Sequence, residues 1–249
     1  MAGATIRVRL AQLLLLCSSL CVADKYPVSA KFVEKCVDEH NRHRSAVRPG
    51  ASDMYFTSWD AGLAKTARAW SKTCKFTTNP HLKTKGAAHP NFETVGENIY
   101  AASGDFSLEV AIEEWFREGV NYEFATNKCI NNKMCDRYTQ LVWGLTYKLG
   151  CAANDCPQGI EGSEIKKNGV VFVCNYSPSG NSKGKKPYLK GAPCVDCGAD
   201  FCRSNLCSDP DRELIIQYPK WNPDFGSASI LLSNCLLPLM SITATDILW

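Results

Sequence analysis

The chain has 249 residues, 28 basic against 25 acidic side chains, and 45% hydrophobic residues. That balance gives no support for nucleic-acid binding, which requires a strongly basic face. The length allows one large domain, or one domain with a small appendage.

Arg7 and Arg9 precede an apolar stretch at residues 10–20, centred on Leu13-Leu14-Leu15-Leu16. Cys21-Val22-Ala23 ends on a small residue, and charge resumes at Asp24. This is the pattern of a secretory signal peptide, residues 1–23, cleaved after Ala23. The alternative, a membrane anchor, suffers from an apolar run too short to span comfortably. Without Arg7 and Arg9 the net charge falls from +3 to +1.

Residues 28–45 read as a helix, with Phe32, Val33, Cys36 and Val37 on one face. A turn follows at residues 48–53. Asp60 is placed to cap a second helix that turns Leu63, Ala64, Ala67 and Trp70 inward. A long loop covers residues 77–94. Ser107 is placed to cap a third helix, with Glu109 in its first turn and an apolar set of Val110, Ile112, Trp115 and Phe116. Short apolar runs at residues 138–143, 150–153 and 170–176 read as strands, the last β-branched and aromatic as a buried strand would be. Residues 182–193 have the composition of a linker, residues 194–207 carry four cysteines, residues 208–229 form a polar stalk, and residues 230–249 are an apolar tail.

Of the 14 cysteines, Cys17 and Cys21 leave with the leader and Cys235 sits in the tail. Most of the remaining eleven are expected to form disulfides in an oxidising compartment, and the odd one is left over as a thiol or pairs with another chain. A zinc ribbon at Cys194, Cys197, Cys202 and Cys207 is the rival reading, and secretion disfavours it.

Five segments occur in a particular order: His40-Asn41-Arg42-His43-Arg44, Gly96-Glu97-Asn98-Ile99-Tyr100, Glu114-Trp115-Phe116-Arg117-Glu118, Tyr138-Thr139-Gln140-Leu141-Val142-Trp143, and Cys174-Asn175-Tyr176-Ser177-Pro178-Ser179-Gly180-Asn181. Together they resemble the CAP superfamily of cysteine-rich secretory, antigen 5 and pathogenesis-related 1 proteins, in its glioma-pathogenesis-related branch. The resemblance covers residues 30–181 and continues through the cysteine knot to Cys207. It implies an α+β fold, a three-layer α-β-α sandwich with a central cleft. The CAP domain would then occupy residues 24–181.

The resemblance also implies a cleft built from two histidines and two glutamates that hold a divalent metal. The acids carry over onto Glu97 and Glu118. The histidines do not: Thr78 and Arg137 stand at their positions. Arginine stays protonated and cannot ligate zinc. Arg137 is therefore expected to act as an internal counter-ion for Glu97, Glu118 or both. His81 is a weak substitute ligand and reads better as a solvated loop histidine. His40 and His89 read as structural. Tyr138 and Gln140 are expected to line the cleft edge from a core strand. No metal, cofactor or catalytic residue is expected, and a hydrolase is the remote alternative. Asn175-Tyr176-Ser177 is a formal glycosylation sequon set in a buried strand.

The resemblance further suggests the pairs Cys74–Cys151, Cys156–Cys174, Cys194–Cys202 and Cys197–Cys207. Cys129 and Cys135 are close enough in sequence to pair. Cys36 is then the odd thiol. The tail at residues 230–249 is broken by Ser233, Asn234 and Pro238 and lacks a basic flank, so a glycolipid-anchor signal fits better than a spanning helix. Plain secretion is the alternative. The expected function is non-enzymatic binding at the extracellular face of the plasma membrane, to another surface protein or a lipid. By resemblance the process is sperm–egg recognition. A secreted sterol or fatty-acid carrier is the second reading.

Overall fold

The structure is a computed structural model that describes residues 24–130 and 132–226. The signal peptide and the apolar tail read from the sequence lie outside the described residues.

Each of the first three helices starts at a side chain that accepts a hydrogen bond from the first turn. Ser29 Oγ accepts from Phe32 N at 3.2 Å to open α1 (Ala30–Arg44). After the short strand β1 (Ser58–Trp59), Asp60 Oδ1 accepts from Leu63 N at 2.8 Å to open α2 (Ala61–Ser71). Beyond β2 (Gly96–Ser103), Ser107 Oγ accepts from Val110 N at 3.3 Å to open α3 (Leu108–Arg117). These caps satisfy donors that a helix leaves unpaired. The apolar stripe of α3 differs from expectation. Val110 is 51% exposed, and Leu108 and Ala111 are buried beside Ile112 and Trp115. Positions 108, 111, 112 and 115 form the i, i+3, i+4, i+7 stripe, and Val110 falls outside it.

The expected strand at residues 138–143 is instead a helix, α4 (Asp136–Leu141), which follows the ribbon β3 (Tyr122–Glu123) and β4 (Lys128–Cys129). Tyr138, Leu141 and Val142 are buried at helical spacing, and a run this short does not distinguish a strand from one turn of helix. The two long strands are β5 (Lys148–Cys156) and β6 (Gly169–Ser177). The sheet order is β1-β5-β6-β2, with β5, β6 and β2 antiparallel and β1 parallel to β5.

Along β6 every residue is buried, and alternate side chains serve different cores. Val170, Phe172, Cys174 and Tyr176 pack with Cys36, Ile112, Trp115 and Leu141 on one face. Val171 and Val173 pack with Ala67 and Trp70 on the other. The period of two thus places helices on both sides of one sheet, giving three layers. Gly150 permits the closest approach: a Cβ there would lie 2.2 Å from Ala64 N of α2.

Among the described residues five disulfides staple this frame. Cys129–Cys135, Cys194–Cys202 and Cys197–Cys207 match expectation. The other two are a correction: Cys74 pairs with Cys156 and Cys151 with Cys174, where Cys74–Cys151 and Cys156–Cys174 were expected. Cys151 and Cys174 are direct cross-strand partners in β5 and β6, with Cα atoms 4.1 Å apart, so the register decides the pairing. Among the described residues Cys36 has no disulfide partner, and it is fully buried.

The C-terminal third lies against the domain. Strands β7 (Phe201–Arg203) and β8 (Leu206–Ser208) form a ribbon, and Cys207 bonds through its backbone to Met54 and Phe56. In the lysine-rich stretch before it, Tyr188 is 3% exposed and Leu189 N donates to Asp53 Oδ1 at 2.9 Å. After the short helix α5 (Pro210–Glu213), the chain crosses α2. Tyr218 OH donates to Asp60 Oδ2 at 3.1 Å, Trp221 Nε1 to Thr66 Oγ1 at 3.2 Å, and Phe225 packs on Trp70. Among the described residues no helix is long and apolar enough to cross a membrane.

Candidate functional site

Glu118 is the C-cap of α3, and Arg137 lies in the first turn of α4. Arg137 Nε donates to Glu118 Oε1 at 2.6 Å, and Nη2 contacts the same oxygen. The backbone N–H of Arg137 donates to Glu118 Oε2 at 3.2 Å. Both carboxylate oxygens are thus engaged by one residue. The Arg137 side chain is 31% exposed and the Glu118 side chain 11%, so the pair is only partly screened by water.

A chain of hydrogen bonds runs inward from Arg137. Asn98 Nδ2 donates to the Arg137 carbonyl at 2.9 Å and, more weakly, to Tyr176 OH at 3.4 Å. His40 Nδ1 faces the Cys36 carbonyl at 2.6 Å and so carries its proton there. Its Nε2 therefore accepts from Tyr176 OH at 2.8 Å. Burial lowers the His40 pKa to about 3, which keeps the ring neutral, and raises that of the Tyr176 phenol.

Glu97, on β2, has different partners. Its Oε1 accepts from Asn79 N at 2.9 Å. The Asn175 amide, oriented with its NH2 toward Glu97, reaches Oε2 at 3.3 Å while its oxygen accepts from Ala67 N at 3.2 Å. Among the described residues no cation compensates this carboxyl, and desolvation pushes its pKa up to about 8. The two acids therefore differ in kind: Glu118 is ion-paired, and Glu97 is mostly protonated at neutral pH.

The other expected positions divide. Tyr138 is buried between Phe116 and Tyr122, and Gly119 leaves room for its ring. Gln140 is buried, with Oε1 accepting from Gly180 N at 3.0 Å and Nε2 without a partner. A Cβ on Gly96 would fall 2.0 Å from Gln140 Oε1, which explains glycine there. Thr78 is exposed. His81 is also exposed, and its ring stacks on Phe225 with centroids 5.0 Å apart. Asn175 of the sequon is fully buried.

Sequence reasoning missed Asn79 and Asn98, and it missed Arg44. Arg44 is 1% exposed and donates to the carbonyls of Tyr55, Leu141, Trp143, Gly144 and Thr146, tying α1 to the exit of α4. Nothing in its local sequence distinguishes it from a surface arginine.

The donor set does not fit a divalent metal. A guanidinium stands where a neutral nitrogen would be needed, and it engages both oxygens of Glu118. Among the described residues, the one group of three possible ligands close enough to share an ion is His40, Cys151 and Cys174, and its two sulfurs are bonded to each other. Glu97 and Glu118 belong to no such group.

The three layers and the sheet order define an α-β-α sandwich of the cysteine-rich secretory type. The family model described as "CAP: Cysteine-rich secretory protein family" matches residues 37–176. The chain is 39% identical over 231 residues to GLIPR1-like protein 1 of Bos taurus, covering 90% of this chain and 92% of that one. It is 40% identical over 225 residues to glioma pathogenesis-related protein 1 of Mus musculus, covering 86% and 82%. Among solved structures it is similar to NaASP2 with Zn2+, at 29% identity and a TM-score of 0.54, over 72% of this chain and 96% of that one. It is also similar to Schistosoma mansoni venom allergen-like protein 4, at 25% identity and a TM-score of 0.53, over 66% and 97%. The chain belongs to the CAP family, in the branch of the GLIPR1-like proteins.

Proposed function

We propose that this CAP-domain protein is a non-enzymatic binding module at the extracellular face of a cell, acting in gamete recognition. The observation that carries the non-enzymatic part is the Arg137–Glu118 pair. It neutralises the acid that a metal would otherwise use, and no histidine stands beside it to serve as a base. The five disulfides support an oxidising, extracellular setting. Attachment through a glycolipid at the C-terminus and the gamete process rest on resemblance to the GLIPR1-like branch. A pull-down from gamete membranes with the folded ectodomain tests the process. Specific capture of a surface protein supports the reading, and capture equal to that of an unrelated disulfide-bonded domain overturns it. Release from cells by a phosphatidylinositol-specific phospholipase tests the anchor, and surface protein resistant to the enzyme counts against it.

A lipid carrier is the second reading. An apolar groove of about 600 Å³ lies between α1 and α2, lined by Val28, Val33, Trp59, Ala64 and Ile215. Sterol and fatty-acid binding assays on the purified protein separate the two readings.

A further inference from the structure

A hollow lies away from Glu97, Glu118 and Arg137. It is an open trough of about 780 Å³. Its apolar lining includes Pro49, Phe124, Leu145, Pro187 and Leu189. Leu145 is 52% exposed and Leu189 57%, which sets two aliphatic side chains beside one depression. A smaller hollow of about 170 Å³ adjoins it and shares Trp143, Lys185 and Pro187.

One wall is the segment Lys183-Gly184-Lys185-Lys186-Pro187-Tyr188-Leu189-Lys190, which carries four cations and no acid. Lys185, Lys186 and Lys190 line the trough, and Lys183 and Lys185 line the adjoining hollow. All four are exposed. Among the described residues none of them is ion-paired with an acid. Lys186 rests over the Phe124 ring at 4.8 Å. The wall is held in place rather than loose. Tyr188 OH donates to the Pro49 carbonyl at 3.0 Å, Pro187 O accepts from Gly144 N at 2.7 Å, and Leu189 is bonded to Ser52 and Asp53. Two acids line the hollows: Asp53 in the trough, whose Oδ1 accepts from Leu189 N and whose pKa is raised by burial, and exposed Asp136 in the adjoining hollow, against four lysines.

The arrangement of the lysines selects among anionic ligands. A single phosphate or carboxylate head calls for donors that converge on one point, commonly with arginine forks or backbone N–H groups. Here the ammonium groups are spread along two adjoining hollows. A distributed row of point charges suits a ligand whose negative charges are themselves spaced out. The exposed leucines add a requirement for aliphatic side chains, which a sulfated polysaccharide lacks. We infer that the trough is the partner-docking surface of this protein, and that it takes an acidic polypeptide segment whose aliphatic side chains sit against Leu145 and Leu189 while its carboxylates face Lys183, Lys185, Lys186 and Lys190. This rests on the reading that the chain binds another protein, and it names the surface and the partner's chemistry.

The test uses the full secreted chain and a fluorescent peptide of alternating Glu and Leu, with a Gln-for-Glu peptide as control. Anisotropy should report binding of the acidic peptide only, weakening as salt is raised. Lys185→Glu, Lys186→Glu and Lys190→Glu together should weaken it by about tenfold or more. Leu145→Ser with Leu189→Ser should weaken it at unchanged net charge. All these side chains are exposed, and an unchanged melting temperature confirms that each variant is folded. Equal binding of both peptides, or no effect of the lysine reversals, overturns the proposal. Retention on phosphatidylserine vesicles or heparin with no binding of the acidic peptide overturns it in favour of a lipid or glycan surface. In a gamete-membrane pull-down, wild-type capture that survives the lysine reversals sinks the trough and leaves the binding function standing. Failure of wild-type capture sinks the binding function itself.

Discussion

Arg137 and Glu118 are joined at three points: two guanidinium nitrogens on Oε1 and the Arg137 backbone N–H on Oε2. The contact closes the C-terminus of α3 onto the N-terminus of α4. It fills, with a permanently charged side chain, the place where resemblance to the family puts a metal-binding histidine.

The purified chain is therefore expected to take up no stoichiometric zinc at neutral pH. Elemental analysis after incubation with zinc and desalting checks this. One tightly held ion per chain, lost on Glu118→Gln, would show that the guanidinium moves aside.

Glu97 gives a pH dependence with a definite sign. Its folded pKa of about 8 lies above its ordinary value of 4.5, so the folded state holds a proton that the unfolded state releases, and stability falls as pH rises through that interval. His40 and His43 act oppositely. Burial lowers them from 6.5 to about 3 and about 4, so the unfolded state takes up protons first and stability falls as pH drops below about 6.5. The melting temperature should pass through a maximum near pH 6.5. Glu97→Gln should flatten the decline on the alkaline side, steepen the rise between about pH 4.5 and 6.5, and leave the slope below about pH 4.5 unchanged. An unaltered alkaline limb would contradict the environment described for Glu97.

Much of this architecture was legible from side chains that act locally. Ser29, Asp60 and Ser107 cap their helices because a short oxygen-bearing side chain before an apolar stripe has few other uses. The run at residues 170–176 reads as a buried strand because it is β-branched and aromatic. What was not legible depends on distant neighbours. The α4 turn reads as a strand in sequence because six residues carry too little periodicity. The pairing of Cys151 with Cys174 follows from strand register, which spacing does not encode. The contrast between Glu97 and Glu118 depends on Asn79 and Asn175, one in a loop and one on the neighbouring strand. Tyr218, Trp221 and Phe225 look like a polar stalk in sequence because their partners, Asp60, Thr66 and Trp70, lie about 150 residues earlier.

Disulfide mapping of the unreduced protein should recover peptides joined through Cys74–Cys156 and Cys151–Cys174. Peptides joined through Cys74–Cys151 would contradict the β5–β6 register. In the same preparation Cys36 should resist a maleimide until the protein is unfolded, because it is fully buried and desolvation raises its thiol pKa.

The segment crossing α2 should contribute to stability. Trp221→Ala removes a ring and the hydrogen bond to Thr66, and is expected to cost about 1–3 kcal/mol in chemical denaturation. A loss below about 0.5 kcal/mol, the range of neutral surface changes, would mean that the segment is only laid on the domain.

The central claim is that Arg137 serves Glu118 in place of a metal, and a double-mutant cycle addresses it most directly. Arg137→Ala, Glu118→Gln and the double variant are compared with wild type by denaturant unfolding at neutral pH. A coupling of about 1–2 kcal/mol is predicted, allowing for the exposure of the pair, with the double variant less destabilised than the sum of the single ones. Additive single effects would contradict the account and leave Arg137 as a surface side chain beside an independent acid.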